Sequence, residues 1–316
     1  MSKKILLSGI QPSGKPHVGN YFGAMKQFVD LQADHESYIF IADFHTLTTV
    51  KDKKTLEDYT LGVLLDYMAI GLDPKNVTLY KQSDVPQVTE LAWIFDCLTT
   101  VPYLERAVAY KDAVANGKEP TAGLFTYPIL MAADILIQDA DVVPVGQDQK
   151  QNVEIARDTA EKFNNAYGET FKLPEPLILE SVAVVPGTDG RKMSKSYGNT
   201  IPLFATDEEI EKAVMSIVTD SSSETPQNVY AIHALLREKS ELDAMYAENK
   251  GQYKKLKELL IEDLKIFIKP MRERRQALEE DKKAVLEVLK EGGKVARERA
   301  EKKMEEVREK VGLKLY

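Results

Sequence analysis

Up to about residue 170 the chain alternates short apolar runs with longer stretches in which apolar residues recur every three or four positions. Lys4 to Leu7, Ser37 to Ala42, Val77 to Lys81 and Asp141 to Val145 read as strands, and helical spacing falls near residues 18–33, 55–71, 86–98 and 147–165. Strands separated by helices predict a parallel, doubly wound α/β sheet, since a parallel neighbour is reached only through a long crossover. Residues 101–122, which include Asn116-Gly117-Lys118-Glu119-Pro120, read as an exposed loop within a connecting insertion. After Pro202 the strand pattern stops. Helical spacing then covers Glu208 to Val218, Asn228 to Glu238, Tyr253 to Leu278 with a kink expected at Pro270, and a last stretch past Gly292-Gly293 to Val311. The predicted division is an α/β unit over residues 1–204 and an all-helical unit over residues 205–316.

The first strand, Ile5 to Leu7, runs into a small-residue turn, Ser8-Gly9-Ile10-Gln11-Pro12-Ser13-Gly14. Pro16-His17-Val18-Gly19-Asn20 then opens a helix whose apolar positions are Val18, Tyr21, Phe22, Met25, Phe28 and Val29. A glycine-bearing turn feeding a helix N-terminus aims unpaired N–H groups at one spot, where the helix dipole also favours an anion. A nucleotide phosphate suits that position. Gly19 lets a base or ribose approach the backbone with no Cβ in the way, and His17 and Asn20 can both donate to phosphate oxygens. Almost two hundred residues on, Lys192-Met193-Ser194-Lys195-Ser196 follows a flexible Gly187-Thr188-Asp189-Gly190 approach. Its two lysines would neutralise charge gathering on a pyrophosphate leaving group.

Together the two stretches resemble the paired signatures of class I aminoacyl-tRNA synthetases, usually His-Ile-Gly-His and Lys-Met-Ser-Lys-Ser. Here the second is complete and the first ends in Asn20. Within that class, Thr126-Tyr127-Pro128-Ile129-Leu130-Met131-Ala132-Ala133-Asp134-Ile135-Leu136 and Val143-Pro144-Val145-Gly146-Gln147-Asp148-Gln149-Lys150-Gln151 are similar to the amino-acid pocket of tryptophanyl-tRNA synthetases. Ser8 to Gly14 and Ala42-Asp43-Phe44-His45 extend the likeness over about the first two hundred residues. The resemblance implies a Rossmann-like catalytic domain that uses ATP with Mg2+, L-tryptophan and tRNA(Trp), in a homodimer. It implies His17, Asn20, Lys192 and Lys195 as catalytic groups. Around ATP it places Gln11, Pro12, Ser13, Gly19, Asn20, Gly146, Gln147, Asp148, Val185, Met193, Ser194 and Ser196 with those lysines. Around tryptophan it places Leu7, Gly9, His45, Tyr127, Met131, Asp134, Val143, Val145 and Gln149.

The chemistry of that pocket can be argued from the residues. Tyr127, Met131 and Asp134 stand at i, i+4 and i+7 of a helix that Pro128 is suited to start, so they share a face. A carboxylate among apolar neighbours needs a donor, and an indole N–H, which donates and cannot accept, is a suitable one. Met131 offers a polarizable wall to an aromatic ring, Gln149 and Tyr127 could fix an amino group, and His45 could lie beside the carboxylate or the ring. The blander alternatives are an Asp134 that pairs with a neighbouring residue and a Met131 that is core. Tyrosyl-tRNA synthetases are the near relatives, but a phenol both donates and accepts, and this helix face supplies only Asp134. Three departures from the resemblance stand out: Gln147 where glutamate is usual, Leu7 where phenylalanine is common, and one lysine, Lys111, in Tyr110-Lys111-Asp112-Ala113. The third leaves Lys111 and Lys118 open as ATP contacts.

Composition agrees with an intracellular enzyme. No apolar run is long enough for a membrane span and the N-terminus carries no signal-like segment, so the expected compartment is the cytoplasm, with no membrane partner. The single cysteine, Cys97, falls on an apolar helical stretch with Trp93 and Ile94 and reads as core filler; it and four histidines show no zinc-ligand spacing. The net charge of −8 looks wrong for an RNA partner until the chain is split: residues 250–316 hold 20 Lys and Arg against 14 Asp and Glu. Lys265, Lys269, Arg272, Arg274 and Arg275 are therefore where the resemblance's tRNA-binding domain would engage the anticodon arm. Interspersed Lys and Glu also describe a solvated helix face stabilised by i, i+4 pairs.

Overall fold

The structure is a computed structural model that describes residues 3–146, 150–177, 185–219 and 225–316. Five parallel strands form one sheet among these residues: β1 Ile5–Ile10, β2 Glu36–Ile41, β3 Val77–Lys81, β4 Val142–Pro144 and β5 Glu175–Leu177, in the order β3-β2-β1-β4-β5. The register sets Ile5 opposite Glu36, Ser37 opposite Val77, Leu6 opposite Val142 and Val142 opposite Glu175. Alternate strand residues feed opposite faces: Ile5, Leu7, Tyr38 and Phe40 enter one core, and Leu6, Ile39 and Ile41 the other. β1 continues through Ser8, Gly9 and Ile10, so the turn begins at Gln11 rather than at Ser8. From β1 the order runs to β3 on one side and to β4 and β5 on the other. The carboxyl ends of β1 and β4 thus diverge and open the crevice in which such sheets bind ligands.

After β1 come α1 Val18–Asn20, a π-helical turn Tyr21–Met25 and α2 Lys26–Leu31; after β2 come α3 Asp43–Thr46 and α4 Lys53–Ala69. Asp52 starts α4 by accepting from the Thr55 N–H at 2.7 Å, and Gly71, at φ +110°, follows its end. A short turn, Gln82–Asp84, follows β3 and leads to α5 Gln87–Asp96. Residues 101–122, expected as a loop, are largely helical, with α6 Val101–Leu104 and α7 Val108–Ala115 followed by α8 Ala122–Phe125. α6 and α7 bury one residue each, Leu104 and Ala113, and α8 none, too few for a periodic signal. α9 Tyr127–Ile137 begins with Pro128, and α10 Lys150–Tyr167 leads to β5.

The C-terminal part is helical, as expected: α11 Asp207–Met215, α12 Gln227–His233, α13 Lys239–Glu248, α14 Tyr253–Glu280 and α15 Lys282–Lys310. Thr206 and Glu209 cap α11 reciprocally, at 3.2 and 2.8 Å. α14 runs unbroken through Pro270, whose ring sits four residues beyond the solvated Ile266, so the orphaned carbonyl can meet water. α15 likewise runs through Gly292 and Gly293 rather than starting after them. Its first half, through Val285 and Leu289, joins one face's core, and its second half, through Ala296, Ala300, Met304 and Val307, joins the other. The helix therefore wraps the edge at β3. No helix among the described residues is long and apolar enough to cross a membrane.

Candidate functional site

Both nucleotide signatures meet beyond the carboxyl end of β1. His17 caps α1: its Nδ1 accepts from the Asn20 N–H at 3.2 Å, while Asn20 Oδ1 accepts from the His17 N–H at 3.0 Å. Burial, reinforced by Lys195, pushes the His17 imidazole down to about 4, so it is neutral at physiological pH. Val18 N–H donates to Ile201 O at 2.9 Å, and Gly19 N–H lies 3.3 Å from Met193 Sδ. A Cβ on Gly19 would come within 3.2 Å of the Met193 side chain, so the glycine permits this approach. Lys195 Nζ reaches across to Ser13 O at 2.9 Å and Gly14 O at 3.0 Å. Gln11, Ser13, Gly14, Asn20, Asp66 and Lys195 share a cavity of about 130 Å³. Pro12 is buried beside it in sequence, and Lys192 and Ser196 are exposed.

The lysine segment is shaped by a residue the sequence reading passed over. Buried Asn199 accepts from the Ser194 N–H at 2.8 Å and donates to Asp189 Oδ1 at 2.6 Å and to Lys192 O at 3.2 Å. Gly187 lies against it so closely that a Cβ would sit 2.2 Å from Asn199 Nδ2. Met193 N–H donates to Val185 O at 2.9 Å, which ties Val185 to the motif. Ser194 Oγ and Ser196 Oγ are 2.9 Å apart.

A second constellation gathers beyond β2 and β3. Asp134 of α9 is 3% exposed; burial pushes its carboxyl up, and His45 and Gln82 counter by donating to it. His45 Nε2 lies 3.2 Å from Asp134 Oδ2, and Gln82 Nε2 lies 3.0 Å from Oδ1 and 2.8 Å from Oδ2. The His45 ring meets Tyr127 edge-on at 4.6 Å, and the Tyr127 hydroxyl lies 3.9 Å from Met131 Sδ. Tyr127, Met131, His45 and Asp134 are therefore brought together. Leu7 and Val143 are buried in the adjoining core, with Met131 and Val145 packed against it. Gly9 faces Phe40, whose ring and carbonyl a Cβ would meet at 2.8 Å. Gly146 is described; Gln147, Asp148 and Gln149, assigned to ATP and tryptophan, lie outside the described residues.

Like Asn199, Gln82 and Asp66 were missed by sequence reasoning. Gln82 directly follows the carboxyl end of β3, a position that the doubly wound pattern itself marks as ligand-facing. Asp66, on α4, takes Arg275 Nε at 2.6 Å; burial pushes its carboxyl up to about 6 against the pull of that arginine. Three arginines expected to face tRNA bond to the chain itself instead. Arg272 meets Asp207 at 2.8 Å, Arg274 donates to Ala69 O at 2.8 Å, and Arg275 holds Asp66. Lys265 and Lys269 make surface pairs with Glu262 and Glu273. Cys97 is exposed, because it falls at the C-cap of α5 with its neighbour Trp93 on the solvent side, 69% exposed.

A small-residue turn at the switch point of a parallel sheet, closed by a lysine segment from the other end of the domain, is the arrangement expected of a class I synthetase. The chain belongs to the tRNA synthetases class I (W and Y) family, whose pattern matches residues 2–289. It is 50% identical over 316 residues to the tryptophan–tRNA ligase of Fusobacterium nucleatum, covering 97% of each chain, and 44% identical to that of Campylobacter jejuni, covering 98% of this chain and 99% of the relative. Among solved structures, tryptophanyl-tRNA synthetase from Campylobacter jejuni complexed with ADP and tryptophan superposes with a TM-score of 0.90 at 43% identity, covering 98% of this chain and 99% of the other. The Mycoplasma pneumoniae enzyme follows at 0.86 and 28% identity, covering 98% of each chain.

Proposed function

We propose that this chain joins L-tryptophan to tRNA(Trp) in two steps. The tryptophan carboxylate attacks the α-phosphorus of ATP; a carboxyl-oxygen–phosphorus bond forms as the bond to the β-phosphate bridge breaks, and pyrophosphate leaves. A terminal ribose hydroxyl of tRNA then attacks the adenylate carbonyl, and AMP leaves. Mg2+, which the resemblance implies, would arrive bound to ATP. His17, Asn20 and the turn from Gln11 to Ser13 would cradle phosphate, and Lys195, already resting on that turn, would with Lys192 neutralise the leaving group. In this reading residues 1–204 do the activation and residues 205–316 bind the anticodon arm of the tRNA, a division of labour rather than of packing.

The observation that carries the substrate assignment is Asp134: a buried carboxylate on one helix face with Met131 and Tyr127, held as an acceptor by His45 and Gln82. Asp134→Ala should strand the indole N–H at a cost of roughly 1–3 kcal/mol, or about one to two powers of ten in tryptophan-dependent pyrophosphate exchange. A benzothiophene analogue, which has no N–H, should lose much less. Equal losses for both rings would make Asp134 structural, and preference of the unaltered protein for tyrosine would overturn the assignment.

We also propose a homodimer. Exposed Trp93 and Leu47 line, with Phe44, Ala92 and Leu130, a groove of about 550 Å³ that reaches His45. A sedimentation mass of one chain would exclude the pairing.

A further inference from the structure

Gln82 is fully buried at the end of β3, and its orientation is fixed from both sides. Its Oε1 accepts the backbone N–H groups of Phe44 at 3.0 Å and His45 at 3.3 Å, so Nε2 must face Asp134. An ionised carboxylate offers about four acceptor positions and no donor. Gln82 and His45 occupy those of Oδ2, and Gln82 takes one on Oδ1, which leaves one acceptor position on Oδ1. That arrangement has a consequence for selectivity, given the reading of Asp134 as the indole acceptor.

We propose that Gln82 is a positioning residue that keeps Asp134 an obligate acceptor, so that the ring bound beside it must bring an N–H. The groups around Asp134 fit this role. His45 and Asp43 face it from α3, Tyr80 from β3 and Tyr127 from its own helix; Asp43 favours a proton on Asp134 and His45 opposes it, while burial and Asp134 hold the Tyr80 hydroxyl protonated. Without the amide donors of Gln82, a carboxyl so deeply buried would take up a proton near neutral pH. It would then be able to donate as well as accept, and a ring without N–H would be penalised less.

Gln82→Met, close in size but without donor or acceptor, tests this with activation of tryptophan and of its benzothiophene analogue between roughly pH 6 and pH 9. In the unaltered protein the ratio of the two kcat/KM values should be flat across that range. In Gln82→Met the ratio should be about tenfold or more lower at the acid end and recover as pH rises and Asp134 ionises. Gln82→Glu keeps the shape and the side chain's hold on the Phe44 and His45 N–H groups while adding a second carboxylate, and should show the same acid-side loss if Gln82→Met does not fold. Equal losses for both rings at every pH in either folded variant would overturn the proposal and leave Gln82 a scaffold residue. Asp134→Ala separates the two levels. If it lowers the ratio but the Gln82 variants do not make it pH-dependent, only the role of Gln82 fails; if it leaves the ratio unchanged, the assignment of Asp134 fails first.

Discussion

At the scale of single residues, His17 shows how a motif position can carry a structural and a chemical task in one ring. Its Nδ1 lone pair receives the Asn20 N–H, so protonation breaks the cap that shapes the phosphate turn. Burial and the nearby Lys195 hold the imidazole at about 4, below its ordinary value of 6.5. A depressed folded value means stability that is complete above 6.5 and is lost as pH falls towards about 4. His17→Asn, which can cap without titrating, should flatten the dependence of unfolding midpoint on pH across that window; an unchanged slope would show that His17 is not the group responsible. The motif residues were legible because type and spacing carry their chemistry. Gln82 and Asn199 were not, because their partners at Asp134 and Asp189 are assigned by the fold and leave no periodic mark.

At the scale of elements, the strands of the first half were read to within a few residues, since apolar runs buried on both faces are unambiguous. β5 escaped because it is three residues long and contains Pro176. Cys97 was misread because an apolar stretch does not show which side of a helix end faces solvent. The glycine pair in α15 was the instructive miss. A Gly-Gly read from sequence suggests the start of a new helix, whereas here it lies inside one, where the helix crosses β3. A Cβ on Gly292 would stand 1.8 Å from Leu79 O, and one on Gly293 would stand 2.8 Å from the Asp84 side chain. Backbone cannot step aside as a side chain can. Gly292→Ala should therefore destabilise the protein by roughly 1–3 kcal/mol or more in urea denaturation, despite alanine's better helix propensity. Gly293→Ala, which meets only a side chain, should cost less, and a reversed order would show that the contact with β3 does not govern the helix.

At the scale of the whole molecule, the excess of basic charge near the C-terminus has a purpose that counting residues cannot reveal. Charge balance distinguishes a basic stretch from an acidic one but not a free arginine from one bonded to the chain itself. Arg274 lies on the last carbonyl of α4, where the helix dipole favours a cation, and Arg275 neutralises Asp66 one turn earlier. Asp66 in turn lines the cavity that Lys195 shares with the phosphate turn. α14 is thus fastened to the helix behind the nucleotide site, and Lys195 feels the same carboxylate. Reversing Arg275 to glutamate would set two carboxylates together in a nearly buried position, and removal of one partner from such a pair costs roughly 3–5 kcal/mol. Arg274→Glu with Arg275→Glu should therefore lower the unfolding midpoint and slow tryptophan-dependent pyrophosphate exchange with no tRNA present, whereas Lys269→Glu, on the solvated face, should leave both unchanged. If exchange and stability survive the double reversal and only charging of tRNA falls, these arginines belong to the RNA surface after all, and the coupling of α14 to the phosphate cavity has no functional weight.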